Sequence, residues 1–254
     1  GTSHQSPVTS RASQQGGVLR WLVWLTAGAF VIAGLAVWGT LRTYHVLTRG
    51  NNGQVVFHED GDCQRYLQLL ATYAKDHSLK IYHYALMPNH VHLVLETERS
   101  DGLSKAMARM NLAYALFYRR RHGYRGHLWQ GRFKSLPVDR DTYLIECGRY
   151  VELNPVRAGL VKAPRDYAWS SYRAYAEGFD NSLITPNPLY LGLAATAAVR
   201  QQRYRQFVDD GLRPVTTPLL ARYQFDGIGI PVPQRPRGRP RKIIGGFPVE
   251  KRSV

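Results

Sequence analysis

The chain has 254 residues, of which 44% are hydrophobic, and this suits one large domain or a medium-sized domain with extensions. Its net charge of +16 and isoelectric point near 10.1 favour a polyanionic partner, first nucleic acid and otherwise an anionic membrane surface. The cysteines, Cys63 and Cys147, lack Cys-x-x-Cys spacing, which argues against a disulfide framework or a thiolate zinc site and indicates a reducing interior.

Residues 1–43 comprise a leader followed by a hydrophobic segment. Residues 1–19 are rich in Ser, Gln, Thr and Gly, a composition typical of a disordered or truncated leader. Residues 21–41 are uncharged and have tryptophans near both ends, so a helix formed by them is long enough to cross a bilayer. Three interpretations stay open: a membrane anchor, a packed or oligomerising helix, and upstream sequence joined to the gene by error.

From Tyr44 to residue 176 the pattern is that of a compact domain built from strands and helices. The predicted elements are a strand at 44–49, a short strand or turn at 54–57, a helix at 62–77, a strand at 79–86 that forms a hairpin with a strand from His90, an amphipathic helix at 103–121 and a last strand. This order predicts an α+β fold, a ferredoxin-like antiparallel sheet with helices on one face.

A turn signal at Pro88 and Asn89 leads directly into the sequence His-Val-His. Because successive side chains of a strand point to opposite faces, His90 and His92 emerge on one face. The alternate residues are apolar and are predicted to face a core: Val91, Leu93 and Leu95. Two neighbouring imidazoles can supply two nitrogen ligands to a divalent metal. The alternative is a histidine-rich strand face that is simply exposed to solvent.

Cationic and aromatic residues are interleaved from the end of the second predicted helix onwards. Such a mixture suits single-stranded or hairpin DNA, because cations meet phosphates while aromatic rings stack on exposed bases. A basic surface that is only solvated is the alternative. The predicted DNA-binding residues of this segment are Arg119, Arg120, Arg121, Arg125, Trp129, Gln130, Arg132 and Lys134.

A further amphipathic helix is predicted at 143–155, with Asp141 as its cap and Pro155 as its stop. At helical spacing, one of its faces carries Tyr143, Cys147, Tyr150 and Asn154. An adjoining apolar stripe lets the helix pack on the sheet and hold Tyr150 and Asn154 at the rim, beside the two histidines. Taken alone, Tyr150 is also explained as an ordinary packing residue of an amphipathic helix.

Beyond this helix, residues 177–233 are predicted to form a helical or linker extension with a helix at 194–211. Residues 234–254 form a basic tail that resembles an AT-hook. In its Arg-Gly-Arg core, Arg237 and Arg239 flank a glycine that lets the backbone approach the floor of a narrow A·T minor groove. A disordered basic tail that holds DNA without sequence preference is the alternative.

Three segments, in this order along the chain, resemble one protein family: residues 84–92, residues 126–133 and residues 149–161. They are similar to the REP-associated tyrosine transposases, a branch of the HUH single-strand transposases. The first predicted strand and the Trp-Ser-Ser-Tyr run at 169–172 also fit that family. The resemblance implies the same ferredoxin-like fold and a catalytic domain over residues 44–176.

The resemblance also implies a role for particular residues. His90 and His92 correspond to metal ligands, and Tyr150 corresponds to the nucleophile. Asn154 corresponds to the third ligand, where many related transposases have glutamine, and Arg157 in the same segment is predicted to bind DNA. The implied cofactor is Mg²⁺ or Mn²⁺, hard or borderline ions that suit mixed nitrogen and oxygen ligands.

The implied activity is the nicking and rejoining of single-stranded DNA at palindromic hairpins through a 5′-phosphotyrosine link, without ATP. The implied partner is hairpin DNA, bound by a monomer or a homodimer. The expected location is the cytoplasm, on the nucleoid, or the membrane if residues 21–41 span it. Two other classes stay open: a domesticated hairpin-binding protein without cleavage, and a membrane-tethered protein whose basic surface meets lipid headgroups.

Overall fold

The computed structural model describes residues 1, 42–98, 101–138 and 143–212. Within these ranges the strands are β1 (Arg42–Arg49), β2 (Leu79–Met87), β3 (His90–Thr97) and β4 (Lys134–Val138). They form one sheet in the spatial order β2-β3-β1-β4, and every neighbouring pair is antiparallel. The α+β fold with a ferredoxin-like sheet, predicted from the order of the elements, is confirmed.

Two helices cross one face of this sheet and enclose the main core. They are α1 (Asp60–Asp76), between β1 and β2, and α2 (Gly102–His122), between β3 and β4. The side chains predicted to face a core pack against the inner sides of both helices and are at most 1% exposed: Val91, Leu93 and Leu95. Removing this apolar face from water, worth about 25 cal/mol per Å², holds the two helices on the sheet.

A third long helix, α3 (Leu144–Arg157), covers the opposite face, against β2 and β3. Its apolar stripe is fully buried there: Leu144, Cys147 and Val151. Because side chains alternate along β3, this is the face that carries His90 and His92, which are only 6% and 0% exposed. The alternative of a solvated histidine face is therefore wrong.

The predicted stop at Pro155 is also wrong, because α3 continues to Arg157. Proline lacks the N–H that would bond the carbonyl of Val151, four residues earlier. The side-chain nitrogen of Asn154 compensates, since it lies 2.9 Å from the carbonyl oxygen of Tyr150 and 3.4 Å from that of Val151. The helix therefore tolerates a proline in its last turn. Asp141, the predicted cap, lies outside the described residues.

Between β1 and α1 the chain makes a short 3-10 turn at Asn51–Gly53 and then runs irregularly through residues 54–57. Of the two predicted alternatives for 54–57, a strand is therefore excluded. The N–H groups of Val56 and Phe57 both donate to the carbonyl oxygen of Pro88, at 2.8 and 3.1 Å. These bonds tie the segment to the turn that precedes His90.

Residues beyond α3 fold back over its outer side. They form α4 (Tyr172–Glu177), α5 (Pro188–Leu191) and α6 (Ala197–Asp210), and α6 corresponds to the helix predicted at 194–211. A second apolar cluster joins these helices to α3. Its buried members are Leu153, Tyr172, Tyr175, Ala176, Tyr190, Tyr204 and Val208.

Two predicted segments lie outside the described residues: the hydrophobic stretch at 21–41 and the AT-hook-like tail with Arg237 and Arg239. None of the helices in the described ranges is long and apolar enough to cross a membrane. The division of the chain after residues 43, 176 and 233 stays a prediction.

Candidate active site

His90, His92 and Tyr150 come together where α3 packs on β3. The two imidazole rings have their centroids 4.9 Å apart, and the ring of Tyr150 lies 6.0 Å from the ring of His92. Asn154 lies one helical turn beyond Tyr150 on α3. In the antiparallel pair of β1 and β3, Arg49 lies opposite His90, which adds a cation at the same place. The residues that the sequence assigned to one site are thus neighbours.

The Nδ1 atoms of both histidines take part in hydrogen bonds. Nδ1 of His90 lies 2.6 Å from the side-chain oxygen of Asn89, and Nδ1 of His92 lies 2.9 Å from Nε2 of His45. The Nε2 atoms of His90 and His92 are buried and have no hydrogen-bond partner among the described residues. Because a carboxamide oxygen only accepts hydrogen bonds, neutral His90 has its hydrogen on Nδ1 and a lone pair on Nε2.

Both candidate ligands are uncharged at pH 7. Burial lowers the pKa of His90 to about 4, and the positive charge of Arg49 adds to this effect. Burial also holds the pKa of His92 well below its usual value, with smaller effects from His90 and His45. A metal binds the neutral form of imidazole, so two buried Nε2 atoms without another partner fit a divalent cation.

Tyr150 is buried, and its hydroxyl is un-ionised at pH 7. Burial raises the pKa of this phenol to about 12, whereas the charge of Arg157 and a hydrogen bond with the Asn154 side chain lower it. The guanidinium carbon of Arg157 lies 5.3 Å from the centre of the Tyr150 ring. Arg157, predicted as a DNA contact, thus lies over the candidate nucleophile, where its charge favours the phenolate.

Asn154 has one side-chain atom that suits a metal. Its nitrogen is directed to the backbone carbonyls of Tyr150 and Val151, as described above. Its oxygen carries the lone pairs that can bind a metal, and Asn154 is only 6% exposed. Together with two imidazole nitrogens, an amide oxygen would make the mixed set that Mg²⁺ and Mn²⁺ accept.

Behind Tyr150, the same helix carries a buried carboxylate that no sequence motif indicated. Glu152 is fully buried, and its oxygens lie 2.9 Å from Nδ1 of His83, 2.7 Å from the hydroxyl of Tyr204 and 2.5 Å from that of Ser171. In the sequence, the buried carboxylate is indicated only by the position of this glutamate between the apolar residues Val151 and Leu153. The network joins α3 to β2, to α6 and to the start of α4.

Glycine is required opposite this network. A Cβ atom on Gly148 would lie 2.4 Å from Nε2 of His83, closer than any van der Waals contact allows. His83 is held in turn by stacking on Tyr175, with 4.5 Å between ring centroids, and by Asn187, whose side-chain nitrogen lies 2.9 Å from Nε2. The rotation of α3 about its axis, and with it the position of Tyr150, is therefore set by contacts with residues far apart in the chain.

Replacing Glu152 by alanine should lower the free energy of unfolding by about 3 to 5 kcal/mol, because three buried polar groups lose their common partner. Urea denaturation followed by circular dichroism measures this change. Glu146→Ala is the matched control on the same helix, since Glu146 is only partly buried and its pair with Arg149 is in reach of solvent, so its removal should cost less, about 1 kcal/mol. Equal losses for the two variants would contradict the structural importance of the Glu152 network.

The basic segment after α2 lies beside the histidines. The N–H of Gln130 donates to the carbonyl of Arg49 at 2.9 Å, and the N–H of Gly50 donates to the carbonyl of Asn89, next to His90, at 2.8 Å. These bonds hold the segment at the end of β1 nearest the candidate metal ligands. Exposed residues of the predicted DNA-binding set lie in the last turn of α2, on this segment and at the start of β4: Arg119, Arg120, Arg125, Gln130, Arg132 and Lys134.

Two other residues of the predicted DNA-binding set make intramolecular contacts. Trp129 is half-buried, and its indole N–H donates to the carbonyl of Asn111 at 2.9 Å. Arg121 pairs with Glu59 at 2.8 Å and approaches Asp62 at 3.7 Å. Trp129 therefore anchors the segment to α2, and Arg121 joins the end of α2 to the start of α1.

In the part of the chain that the structure describes, one group of acidic and histidine side chains has its ligand atoms within 4.8 Å of one another: Glu59, Asp62 and His122. Asp62 accepts hydrogen bonds from the backbone N–H of His58 and lies 2.9 Å from Nε2 of His122. The single guanidinium of Arg121 lies against both carboxylates of this group and offsets one of their two charges. We infer that the group has a structural role and joins the start of α1 to the end of α2.

The candidate site thus combines a ferredoxin-like sheet, two neutral histidines and a tyrosine on the helix that covers them. In sequence, residues 40–154 match the family described as "Transposase IS200 like". Enzymes of this family depend on a metal in general.

Two solved structures are similar to the chain. One is a REP-associated tyrosine transposase bound to a REP hairpin, with 19% identity and a TM-score of 0.45 over 57% of this chain and 91% of that chain. The other is a protein of Deinococcus radiodurans R1 assigned as a transposase, with 24% identity and a TM-score of 0.29 over 43% of this chain and 88% of that chain. No curated protein matches the chain.

Proposed function

We propose that the chain is a single-strand DNA transposase of the HUH type, which nicks and rejoins hairpin DNA through a 5′-phosphotyrosine link at Tyr150. The observation that carries this proposal is the pair of buried Nε2 atoms of His90 and His92 next to a buried tyrosine. A buried polar atom without a partner costs about 1 to 3 kcal/mol, and a metal bound to both Nε2 atoms would remove this cost.

His90, His92 and Asn154 would hold the cofactor, Mg²⁺ or Mn²⁺, through two nitrogens and one oxygen. When bound, the metal supplies Lewis acidity that polarises the scissile phosphate. The protein's own contribution is orientation, because hydrogen bonds at Nδ1 fix both imidazole rings and leave their Nε2 atoms without a partner among the described residues. The surrounding helices keep bulk water away from these atoms.

The Tyr150 hydroxyl attacks the phosphorus in line, and a bond forms between the phenolic oxygen and phosphorus. The bond from phosphorus to the 3′ oxygen breaks, which leaves a free 3′-OH on one fragment and a 5′-phosphotyrosine on the other. Arg157 favours loss of the phenolic proton because its charge lowers the pKa of Tyr150. The 3′-OH later attacks the same phosphorus and releases the tyrosine, so the reaction needs no ATP.

The basic segment supports hairpin DNA as the partner. Arg125, Arg132 and Lys134 are exposed in or next to the segment whose Gln130 N–H bonds the carbonyl of Arg49, and exposed cations there suit phosphates that flank the scissile bond. Arg237 and Arg239 of the tail would add contacts in an A·T-rich minor groove. A DNA substrate implies a cytoplasmic location on the nucleoid.

The proposal is tested with the full chain and an oligonucleotide that carries a palindromic hairpin and a single-stranded flank. We expect cleavage with Mg²⁺ or Mn²⁺ and none with EDTA. A 3′-end label should appear in a protein–DNA adduct that survives denaturant, and a 5′-end label should appear in a shorter free strand. An oligonucleotide of equal composition without the palindrome is the control. Hairpin binding without cleavage under every metal condition would identify a binding protein instead.

A further inference from the structure

His45 of β1 lies against His92 and has no part in the reaction described above. It is fully buried, its ring stacks on that of His92 with centroids 5.1 Å apart, and its Nε2 atom lies 2.9 Å from Nδ1 of His92. The register of the sheet places it on the same face as the histidine pair. A third imidazole is thus built into the site without occupying a ligand position.

A hydrogen bond between two imidazole nitrogens has only two arrangements when both rings are neutral. If His92 donates from Nδ1, its Nε2 atom carries a lone pair directed at the site. If His45 donates from Nε2 instead, the hydrogen of His92 lies on its Nε2, and that atom cannot bind a metal.

We propose that His45 is a positioning residue that accepts the Nδ1–H of His92 and so keeps the Nε2 lone pair of His92 ready for the metal. This inference rests on the proposed function, because it assigns the ligand role to His92. It adds a residue outside the proposed ligand set, which acts by selecting one tautomer and one ring orientation of its neighbour. The ring of His45 also lies edge-on to that of Tyr150, with centroids 5.9 Å apart.

His90 offers an internal comparison. Its Nδ1 atom is held by the side-chain oxygen of Asn89, whose own nitrogen donates to the carbonyl of Gly53 at 3.1 Å. A carboxamide oxygen only accepts, so the tautomer of His90 is decided by chemistry alone. The tautomer of His92 depends on a ring that can donate or accept. His92 is therefore the ligand whose metal-binding form is sensitive to its neighbour.

The first readout is Mn²⁺ binding by the full chain without DNA, measured by the loss of the free-ion electron paramagnetic resonance signal. His45→Phe keeps a ring but removes both nitrogens, and we expect it to weaken Mn²⁺ binding by about 10- to 100-fold. His45→Gln restores an acceptor oxygen, and its Mn²⁺ affinity should be within about threefold of that of the wild type. A residue needed only for packing would not separate these two variants in this way.

His122→Phe is the matched control, because it removes an imidazole from the Glu59, Asp62 and His122 group on the other side of the sheet. Its Mn²⁺ affinity should equal that of the wild type. If the wild type binds no Mn²⁺, or if His92→Ala binds Mn²⁺ normally, the proposed function itself is contradicted. If Mn²⁺ binding is lost in His92→Ala but is normal in His45→Phe, only the role of His45 is contradicted.

The second readout is the tautomer itself, observed in long-range proton–nitrogen spectra of the metal-free protein labelled with ¹⁵N at histidine. We expect wild-type His92 to be protonated at Nδ1, and the form protonated at Nε2 to appear in His45→Phe. His45→Gln should retain the wild-type pattern. A wild-type spectrum in which His92 is protonated at Nε2 would overturn the proposal, whatever the variants do.

Discussion

Tyr150→Phe is expected to abolish strand cleavage while leaving the fold and hairpin binding intact. Only a covalent mechanism needs the hydroxyl, whereas packing on α3 needs only the ring, which phenylalanine keeps. The loss of one hydrogen bond lowers stability by about 1 kcal/mol at most. The cleavage rate should fall by at least about a thousandfold, because no other group in the described site can form the covalent link.

This result is measured by single-turnover cleavage of a labelled hairpin substrate, with thermal unfolding and gel-shift binding in parallel. Tyr143→Phe is the matched control, since it removes a phenol hydroxyl one residue before α3 begins and should leave cleavage within a few fold. Mass spectrometry of the wild-type adduct should locate the nucleotide on Tyr150. Metal-dependent cleavage by Tyr150→Phe at a near-normal rate would exclude the covalent mechanism and leave a nuclease that uses activated water.

His90→Ala and His92→Ala should each abolish cleavage and leave hairpin affinity within a few fold. The phosphate contacts are expected from the exposed arginines and Lys134, which neither substitution alters. Each variant also removes a buried Nε2 atom that lacks a partner, so the metal-free protein should lose less stability than the deletion of a buried ring usually costs.

Cleavage, Mn²⁺ binding and gel-shift affinity measured on the same preparations separate the two roles. His77→Ala, at the end of α1, is the control and should leave all three quantities unchanged. Parallel loss of affinity and cleavage in the His90 and His92 variants would mean that these histidines hold the fold together rather than bind a metal.

Local patterns in the sequence were sufficient for the order of strands and helices and for the pairing of His90 with His92. Both follow from the period of two along a strand, which also placed Val91, Leu93 and Leu95 in the core. Helical spacing was enough to put Tyr150 and Asn154 on one side of α3. In each case the residues concerned lie within a few positions of one another, so the geometry of one element decides their relation.

The partners of these residues come from distant parts of the chain, and no local pattern indicates them. His45 meets His92 across 47 positions, and Glu152 meets His83 across 69, because strands and helices that are far apart in sequence pack side by side. The extension of α3 beyond Pro155 was missed because the compensating bond comes from the Asn154 side chain. The packing of α3 on the histidine face buries His90 and His92 and keeps their imidazole rings neutral. This packing is stabilised because the apolar stripe of α3 is buried against the sheet, while α4 to α6 cover its outer side. The position of α3 depends on the total apolar surface removed from water, which is a property of the folded chain.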